Sequence, residues 1–316
     1  MKKLLRYEKA EWSMPFLLSG NSFFIPLIYH LAEKKNTTIK YAYGCPRCTW
    51  AGGRVSNIKM SGYSFLERVL QKIVDYGTTP AFTFTNISLD KESLKDEYCN
   101  NLLKIIDTIG AEIIVASELL YEYIREKHPN IKLCCSLLQT NYSDIKDVDE
   151  VEHINKLIDK YDRVVIRPEF VKYTPERLIE IKDISKIEVL VNQHCVVNCE
   201  NSKIDFKLME LFNRGILTIE QQLKASGKIC PKNFRKETDR TELTHEQIQR
   251  CIDAGVTKLK LQGRTYLFDG LLEDLYEYFF DSNVDRKELR KEIDSYMAKT
   301  LQNSVDLQLY ALISKI

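Results

Sequence analysis

Eight short apolar runs, rich in β-branched residues, alternate with amphipathic helical segments along the chain. We predict strands at residues 16–19, 39–44, 81–86, 112–118, 132–139, 163–169, 188–191 and 258–264. Strands that alternate with helices indicate a parallel sheet covered by helices, and eight strands are the number that closes a barrel. An open doubly wound sheet is the alternative, but the turn after the first predicted strand lacks the glycine pattern of that fold. We therefore expect an α/β protein with a complete or imperfect (β/α)8 TIM-like barrel.

The domain organisation follows from the length of 316 residues. A barrel commonly takes roughly 250 residues, which leaves a further segment at one end. The sequence after residue 270 is helical in pattern and rich in charge. We place the barrel domain at residues 1–270 and a C-terminal helical extension, packed on the barrel, at residues 271–316.

The charges nearly cancel, because 46 Lys and Arg residues stand against 45 Asp and Glu residues. Proteins that neutralise several phosphates carry a basic stripe, so we favour a small-molecule substrate over RNA. RNA stays a candidate partner because of two local basic groups, Lys224, Lys228, Lys232, Arg235 and Lys236 near Cys230, and Lys258, Lys260 and Arg264 near the last strand. No apolar run approaches the roughly 20 residues of a membrane helix, so we expect a cytoplasmic protein without a membrane partner.

Five of the nine cysteines follow predicted strands at the end where barrels carry their chemistry. They are Cys45, Cys48, Cys195, Cys199 and Cys230. Thiolates are soft ligands that suit zinc or an iron–sulfur cluster, and two cysteines on one turn are half of a four-sulfur site. The alternative is that these are thiols without a metal. The other four cysteines, Cys99, Cys134, Cys135 and Cys251, lie inside predicted strands or helices, and we interpret them as structural.

The order of several motifs resembles one known family. The motifs are Leu-Ser-Gly-Asn at residues 18–21, the Gly-Gly turn within residues 41–54, residues 107–116, the strand at residues 163–169, and Gly-Val-Thr-Lys-Leu-Lys-Leu-Gln-Gly-Arg at residues 255–264. Together they resemble the collagenase-like peptidases of unassigned catalytic type (peptidase family U thirty-two), over roughly residues 15–278. One departure is Gln262, which stands where the family usually has Glu.

The resemblance implies a barrel that binds a [4Fe-4S] cluster through four cysteines. It also implies oxygen-independent hydroxylation of RNA bases or quinone precursors, which several members perform despite the peptidase name. Cys195, Cys199 and Cys230 match the family's cysteine-rich region, and Cys48 matches a ligand in one branch. We therefore prefer Cys48 to Cys45 as the fourth ligand. Zinc at the same residues is the alternative cofactor.

Polar residues at or near the predicted strand ends are the candidates for contact with a substrate. We assign catalytic roles to Glu118, Glu169, Asn192 and Arg264, and substrate-binding roles to Trp50, Arg54, Asn86, Gln139 and Arg167. Helix capping, turn formation or ion pairing would explain each of them equally simply. His194 beside Cys195 does not indicate a cysteine protease, since adjacent residues on a strand face opposite ways.

The function predicted from these residues is an iron–sulfur-dependent enzyme that hydroxylates a small aromatic or anionic substrate, or a nucleobase, without O2. Two alternatives stay open. One is a non-catalytic, metal-stabilised subunit that pairs with a paralogous partner or with a second copy of itself. The other is a metal-dependent peptidase or hydrolase.

Overall fold

The computed structural model describes residues 4–19, 21–32, 39–55, 62–140, 148–197, 199, 201–230, 240–263 and 268–302. Eight parallel strands pair in chain order, and the last closes on the first. They are β1 Glu11–Met14, β2 Ile39–Gly44, β3 Thr79–Phe84, β4 Glu112–Val115, β5 Leu133–Cys135, β6 Arg163–Ile166, β7 Ile187–Leu190 and β8 Lys258–Lys260. The (β/α)8 barrel predicted from the sequence is confirmed.

Helices connect the strands and cover the outside of the barrel. The α-helices are α1 Phe24–Leu31, α2 Tyr63–Asp75, α3 Glu97–Ile109, α4 Glu118–Lys127, α5 Glu150–Lys160, α6 Pro168–Tyr173, α7 Ser202–Asn213, α8 Ile219–Ile229, α9 His245–Asp253, α10 Phe268–Asp274 and α11 Arg286–Gln302. A short π-helix, Leu275–Phe279, continues α10. The ends follow local sequence signals: Asp96 caps the start of α3, and Gly110 ends it at a φ of 71°, where glycine has no steric penalty.

Side chains of each strand alternate between the helices outside and the barrel interior, as the two-residue period of a strand requires. Outward residues such as Trp12, Met14 and Ile113 join the large apolar core beneath the helices. A second, smaller apolar cluster of Tyr43, Ala81, Ile114, Cys134 and Val165 lies apart from it. The structure therefore separates an apolar layer outside the sheet from a mixed interior.

The first strand lies earlier than predicted. β1 is Glu11–Met14, whereas residues 16–19 form a buried turn in which Leu18 has a φ of 50°. The sequence was misleading because Trp12 and Met14 face the helices while Ser13, between them, faces the interior and interrupts the apolar pattern. Residues 16–18 are more apolar than β1 and look like a strand, but their apolar side chains are buried in this turn.

The predicted domain boundary at residue 270 lies within α10. Phe268 of α10 stacks on Phe24 at a ring distance of 5.5 Å, and Phe279 of the π-helix meets Trp12 edge-on at 5.7 Å. These contacts place the helical segment against the side of the barrel near β1. Within the described ranges, no helix combines the length and apolarity that crossing a membrane would require.

Candidate functional site

A cavity of about 570 Å³ opens at the carboxyl ends of the strands. Tyr43, Ile114, Val165 and Lys260, one from each even-numbered strand, form its floor. Above them the wall contains hydroxyl and amide groups together with apolar side chains. The wall residues include Thr83, Thr85, Ser136, Leu190, Gln193, His194 and Gln262. A concave pocket of mixed lining at this end of a barrel is where substrates bind in enzymes of this fold.

Helix α7 covers one side of the cavity with Asp205, Phe206 and Met209. The far end of α7 is attached to the loop after β2, where Asn213 Nδ2 donates to the carbonyls of Ala51 and Gly53 at 3.0 Å each. The cover is therefore tied to the barrel by buried hydrogen bonds rather than only by apolar packing.

A buried charge network lies directly beneath the pocket floor. Arg163 on β6 pairs with Glu112 on β4 and with Glu188 on β7, and it also donates to Ser13 Oγ on β1 at 3.1 Å. These strands are not all neighbours, so the contacts cross the barrel interior. Lys260 on β8 joins the network through Glu188 Oε2, 3.4 Å from its Nζ.

The two buried carboxyl groups of this network differ in their pKa. Burial raises the pKa of Glu112 above its ordinary value, although the Arg163 guanidinium opposes that effect. Burial acts on Glu188 in the same direction, but Arg163 and Lys260 together hold the pKa of that carboxyl below its ordinary value. Glu188 has two cationic partners and a hydroxyl donor, Ser13, which explains the difference.

Lys260 connects the network to the cavity. Its Nζ lies 4.1 Å from the centre of the Tyr43 ring, and the Tyr43 hydroxyl is fixed by donating to Leu261 O at 2.5 Å. Lys260 thus contacts a carboxylate of the network and the face of an aromatic ring at the cavity floor. The side chain is 10% exposed, and the part that is exposed faces the cavity.

His194 lies at the rim between two carboxylates. Its Nδ1 contacts Glu242, and its Nε2 lies 3.6 Å from Asp274 Oδ1. Hydrogen bonding to Asp274, supported by Glu242, raises the pKa of His194. Asn192 holds this arrangement in place by donating to Asp274 Oδ2 at 2.8 Å, while its own Oδ1 accepts from the backbone N–H of Gln262 at 2.7 Å.

The predicted metal ligands separate into two groups. Cys195, Cys199 and Cys230 are half-buried. The side chain of Asn201, two residues after Cys199, donates to the carbonyl of Ile229, the residue before Cys230, at 2.8 Å. Cys48 instead lies in the loop attached to the opposite end of α7, a helix whose 12 residues make it roughly 18 Å long.

Cys48 belongs to a different cluster, in the apolar core. Its Sγ lies 3.9 Å from that of Cys45, and it shares a hydrogen bond with Cys99 of α3. The hydrogen bond with Cys45, together with burial, raises the pKa of Cys48 well above its ordinary value. The thiol is thus held neutral among apolar neighbours, and the structure does not bring it to the other three.

Across the described ranges, no three His, Cys, Asp or Glu side chains are arranged so that they could hold a metal ion. The cysteines therefore do not fit a four-sulfur cluster as they stand. The cofactor assignment stays a prediction from the sequence resemblance.

Of the three predicted catalytic residues that the structure describes, Asn192 alone lies next to the pocket, behind Gln262 and Asp274. Glu118 is at the start of α4, where its side chain is 64% exposed and pairs with Lys160 outside the barrel. Glu169 lies in α6 and does not line the cavity. Arg264 lies outside the described residues.

Of the five predicted substrate-binding residues, Arg54 lines the cavity rim and pairs with Asp205 at 3.5 Å. The other four do not line it and instead hold the structure together. Trp50 is buried and donates to Ser93 O, Asn86 to Thr49 O, Gln139 to Ala116 O and Arg167 to Glu150 Oε1. Their positions near strand ends therefore reflect loop anchoring rather than access to the pocket.

Sequence reasoning did not identify the charge network. The signal was present, because Glu112, Arg163, Glu188 and Lys260 are charged residues inside runs that are otherwise apolar. Such a residue in a buried strand needs a partner, and in a closed barrel the partner can come from across the interior.

The fold resembles that of a solved structure, the U32 peptidase Mk0906, with a TM-score of 0.50 and 12% sequence identity over 80% of this chain and 91% of that chain. A structure of L-ribulose 3-epimerase aligns over 96% of this chain and 98% of that chain, with 11% identity and a TM-score of only 0.38. No protein-family model and no curated protein matches the sequence. The resemblance is thus supported at the level of the barrel fold.

Proposed function

We propose that this chain is an enzyme that binds a small anionic substrate in the pocket at the barrel mouth, with Lys260 contacting the anionic group. One observation carries the proposal: among the described pocket residues, the titratable side chains of Arg54, Asp205 and His194 are 25–58% exposed at the rim, whereas Lys260 is 10% exposed at the floor. A buried ammonium that lines a cavity favours a carboxylate or phosphate oxygen there, because hydrogen bonds between charged groups are the strong ones.

The rest of the pocket favours a small molecule with both polar and apolar parts. Thr83, Thr85 and Ser136 offer hydroxyl groups, while Ile114, Leu190 and the cover residues Phe206 and Met209 offer apolar surface. Of the basic group near the last strand, the described members Lys258 and Lys260 pair with Glu11 and Glu188, which favours a small molecule over RNA.

Binding of small anions to matched variants tests the proposal. We expect sulfate, glycolate or benzoate to bind to the wild type, measured by calorimetry, and the Lys260→Met variant to lose roughly 10-fold or more in affinity, because a hydrogen bond to a charged group contributes about 1.5–3 kcal/mol. Lys258→Met is the control, since Lys258 is on the same strand but pairs with Glu11 and Ser185 O outside the pocket. Equal affinities in the two variants would overturn the proposal.

For the reaction, we propose the oxygen-independent hydroxylation that the sequence resemblance implies, with peptide hydrolysis as the competing proposal. The carboxyl terminus of a peptide would suit Lys260 as well as a small acid does. Hydroxylation without O2 needs a redox centre, whereas a metal-dependent hydrolase can use a redox-inert metal such as zinc, so the identity of the bound metal separates the two.

The metal centre we propose for such a redox role uses Cys195, Cys199 and Cys230, which would have to move closer together to hold a metal than they lie in the described structure. The observation that favours it is the contact of Asn201 with Ile229 O, which holds two of the three half-buried thiols at neighbouring helix ends. Protein purified without oxygen should contain iron, and Cys199→Ala should lose it while Cys251→Ala, a buried cysteine of α9, should not. Metal-free wild-type protein would contradict this centre, and zinc in place of iron would favour metal-dependent hydrolysis as the reaction.

A further inference from the structure

The network beneath the pocket holds two acids and two bases in a site that is almost completely buried. Among the described residues these are Glu112, Glu188, Arg163 and Lys260, with whole-residue exposures of 4%, 0%, 2% and 8%. Their charges sum to zero when all four are ionised. Balance matters here, because an unpaired charge in a buried site costs several kcal/mol.

A substrate anion beside Lys260 would disturb this balance. It would add negative charge beside a network whose charges already balance, and it would compete with Glu188 for the lysine. Neither Arg163 nor Lys260 can supply further positive charge. Within the network, the added charge is offset when one carboxylate takes up a proton; His194, at the rim of the same cavity, lies outside the network.

We propose that anion binding at Lys260 is coupled to the uptake of one proton by Glu112. The inference rests on the proposed function, since it requires an anion in this pocket. It extends that function, because it makes substrate affinity depend on pH through a residue that lies below the pocket floor.

The geometry selects Glu112 over Glu188. Glu188 accepts hydrogen bonds from Ser13, Arg163 and Lys260, and protonation would weaken all three contacts. Among the described residues, Glu112 pairs with Arg163 alone, and Arg163 would keep Glu188 as a partner if Glu112 were protonated. The raised pKa of Glu112 and the lowered pKa of Glu188 agree with this choice.

The other groups that face Glu112 do not offer an alternative proton acceptor. Tyr41 on β2 has its ring 3.9 Å from the Arg163 guanidinium, and burial raises its pKa. Cys134 on β5 is buried, and burial raises its pKa to a value that keeps the thiol protonated. Both are already neutral, so a proton taken up near neutral pH goes to a carboxylate.

Calorimetry of sulfate binding in two buffers of different ionisation enthalpy tests the proposal. Sulfate stays fully ionised near neutral pH, so it does not itself exchange protons. We expect the wild type to take up close to one proton and to lose up to about tenfold in affinity per pH unit as the pH rises. Glu112→Gln should bind sulfate at least as tightly, with no uptake and no such slope. Glu11→Gln, which changes the partner of Lys258, should behave as the wild type does.

Infrared difference spectra of the wild type, with and without sulfate, provide a second measurement that needs no variant. Sulfate has no carboxyl group, so a new protonated-carboxyl band reports on the protein alone. Sulfate binding without proton uptake, without that band, or with equal uptake in Glu112→Gln would overturn the coupling and leave the proposed function standing. Failure of sulfate, glycolate and benzoate to bind to the wild type would overturn both.

Discussion

The lower and upper halves of the barrel interior differ in how their charged side chains are placed. In the lower half, Arg163 is surrounded by Glu112 and Glu188, and all three side chains are buried and paired. In the upper half, the floor of the cavity carries a single ammonium, Lys260, among Tyr43, Ile114 and Val165. The difference is that the lower charges pair with one another inside the barrel, whereas the upper one pairs with Glu188 and also lines the cavity where a ligand would bind.

Glu188 links the two halves, because it is shared between Arg163 below and Lys260 above. A change in the lower half should therefore act first on stability, whereas a change in the upper half should act first on binding. The following predictions test that division, from the largest expected effect to the smallest.

Removing the central cation should have the largest effect. Arg163→Met leaves two buried carboxylates without their common partner, and breaking a buried ion pair in this way costs about 3–5 kcal/mol in the free energy of unfolding. Urea unfolding measures the loss. Arg250→Met removes an exposed pair with Glu246 on α9 and should change the unfolding free energy by less than about 1 kcal/mol. Similar losses in the two variants would contradict a paired lower half.

The two glutamates should differ in how they affect stability with pH. The pKa of Glu188 is lowered by folding, so its contribution is present above its unfolded pKa and is lost as the pH falls through the folded value. The pKa of Glu112 is raised, so its ionisation opposes folding as the pH rises from its unfolded value. We expect Glu188→Gln to destabilise the protein at neutral pH and to flatten its acid-side stability curve.

Glu112→Gln is the matched variant and should be the milder of the two at neutral pH. Urea unfolding from acid to neutral pH, followed by circular dichroism, compares the two variants directly. If Glu112→Gln destabilises more than Glu188→Gln at neutral pH, the assignment of the two carboxyl groups is reversed.

The cover should affect affinity without affecting stability strongly. Phe206 is only partly buried and lines the cavity from α7, so Phe206→Ala should weaken benzoate binding roughly tenfold through lost apolar contact while leaving unfolding nearly unchanged. Ile204→Ala, at an exposed position on the same helix, is the control and should leave benzoate affinity unchanged. Equal affinities in the two variants would mean that benzoate does not contact the cover.

The smallest effect is expected at a residue that the sequence placed in the catalytic group. Glu118 pairs with Lys160 at the surface, so Glu118→Gln should change neither sulfate affinity nor stability measurably. A loss of binding in this variant would mean that the pocket extends beyond the cavity described above.

The fold was predictable because strand and helix periodicities repeat eight times, so errors in individual elements did not matter. The bounds of β1 were missed, since the run at residues 16–18 is more apolar than Glu11–Met14, and only its packing shows that it is a turn. The helix α6 was hidden inside the predicted sixth strand because Pro168 suits both the end of a strand and the start of a helix.

The site was less predictable because it depends on register. Lys258 and Lys260 look equivalent in the sequence, yet one pairs with Glu11 and the other reaches the pocket. The spacing of Cys45 and Cys48 likewise indicated a metal, but their third neighbour, Cys99, comes from a helix that no spacing rule connects to them. Arg54 was predicted to contact a substrate, and the structure places it at the cavity rim.

The position of a bound anion tests the central claim most directly. Crystals grown with selenate, whose selenium gives an anomalous signal, would locate an oxyanion without prior assumptions. We predict a selenium peak in the cavity with an oxygen within hydrogen-bond distance of Lys260 Nζ. Peaks confined to the outer groove between α10 and α11, near Arg286 and Arg290, with none in the cavity, would contradict the account.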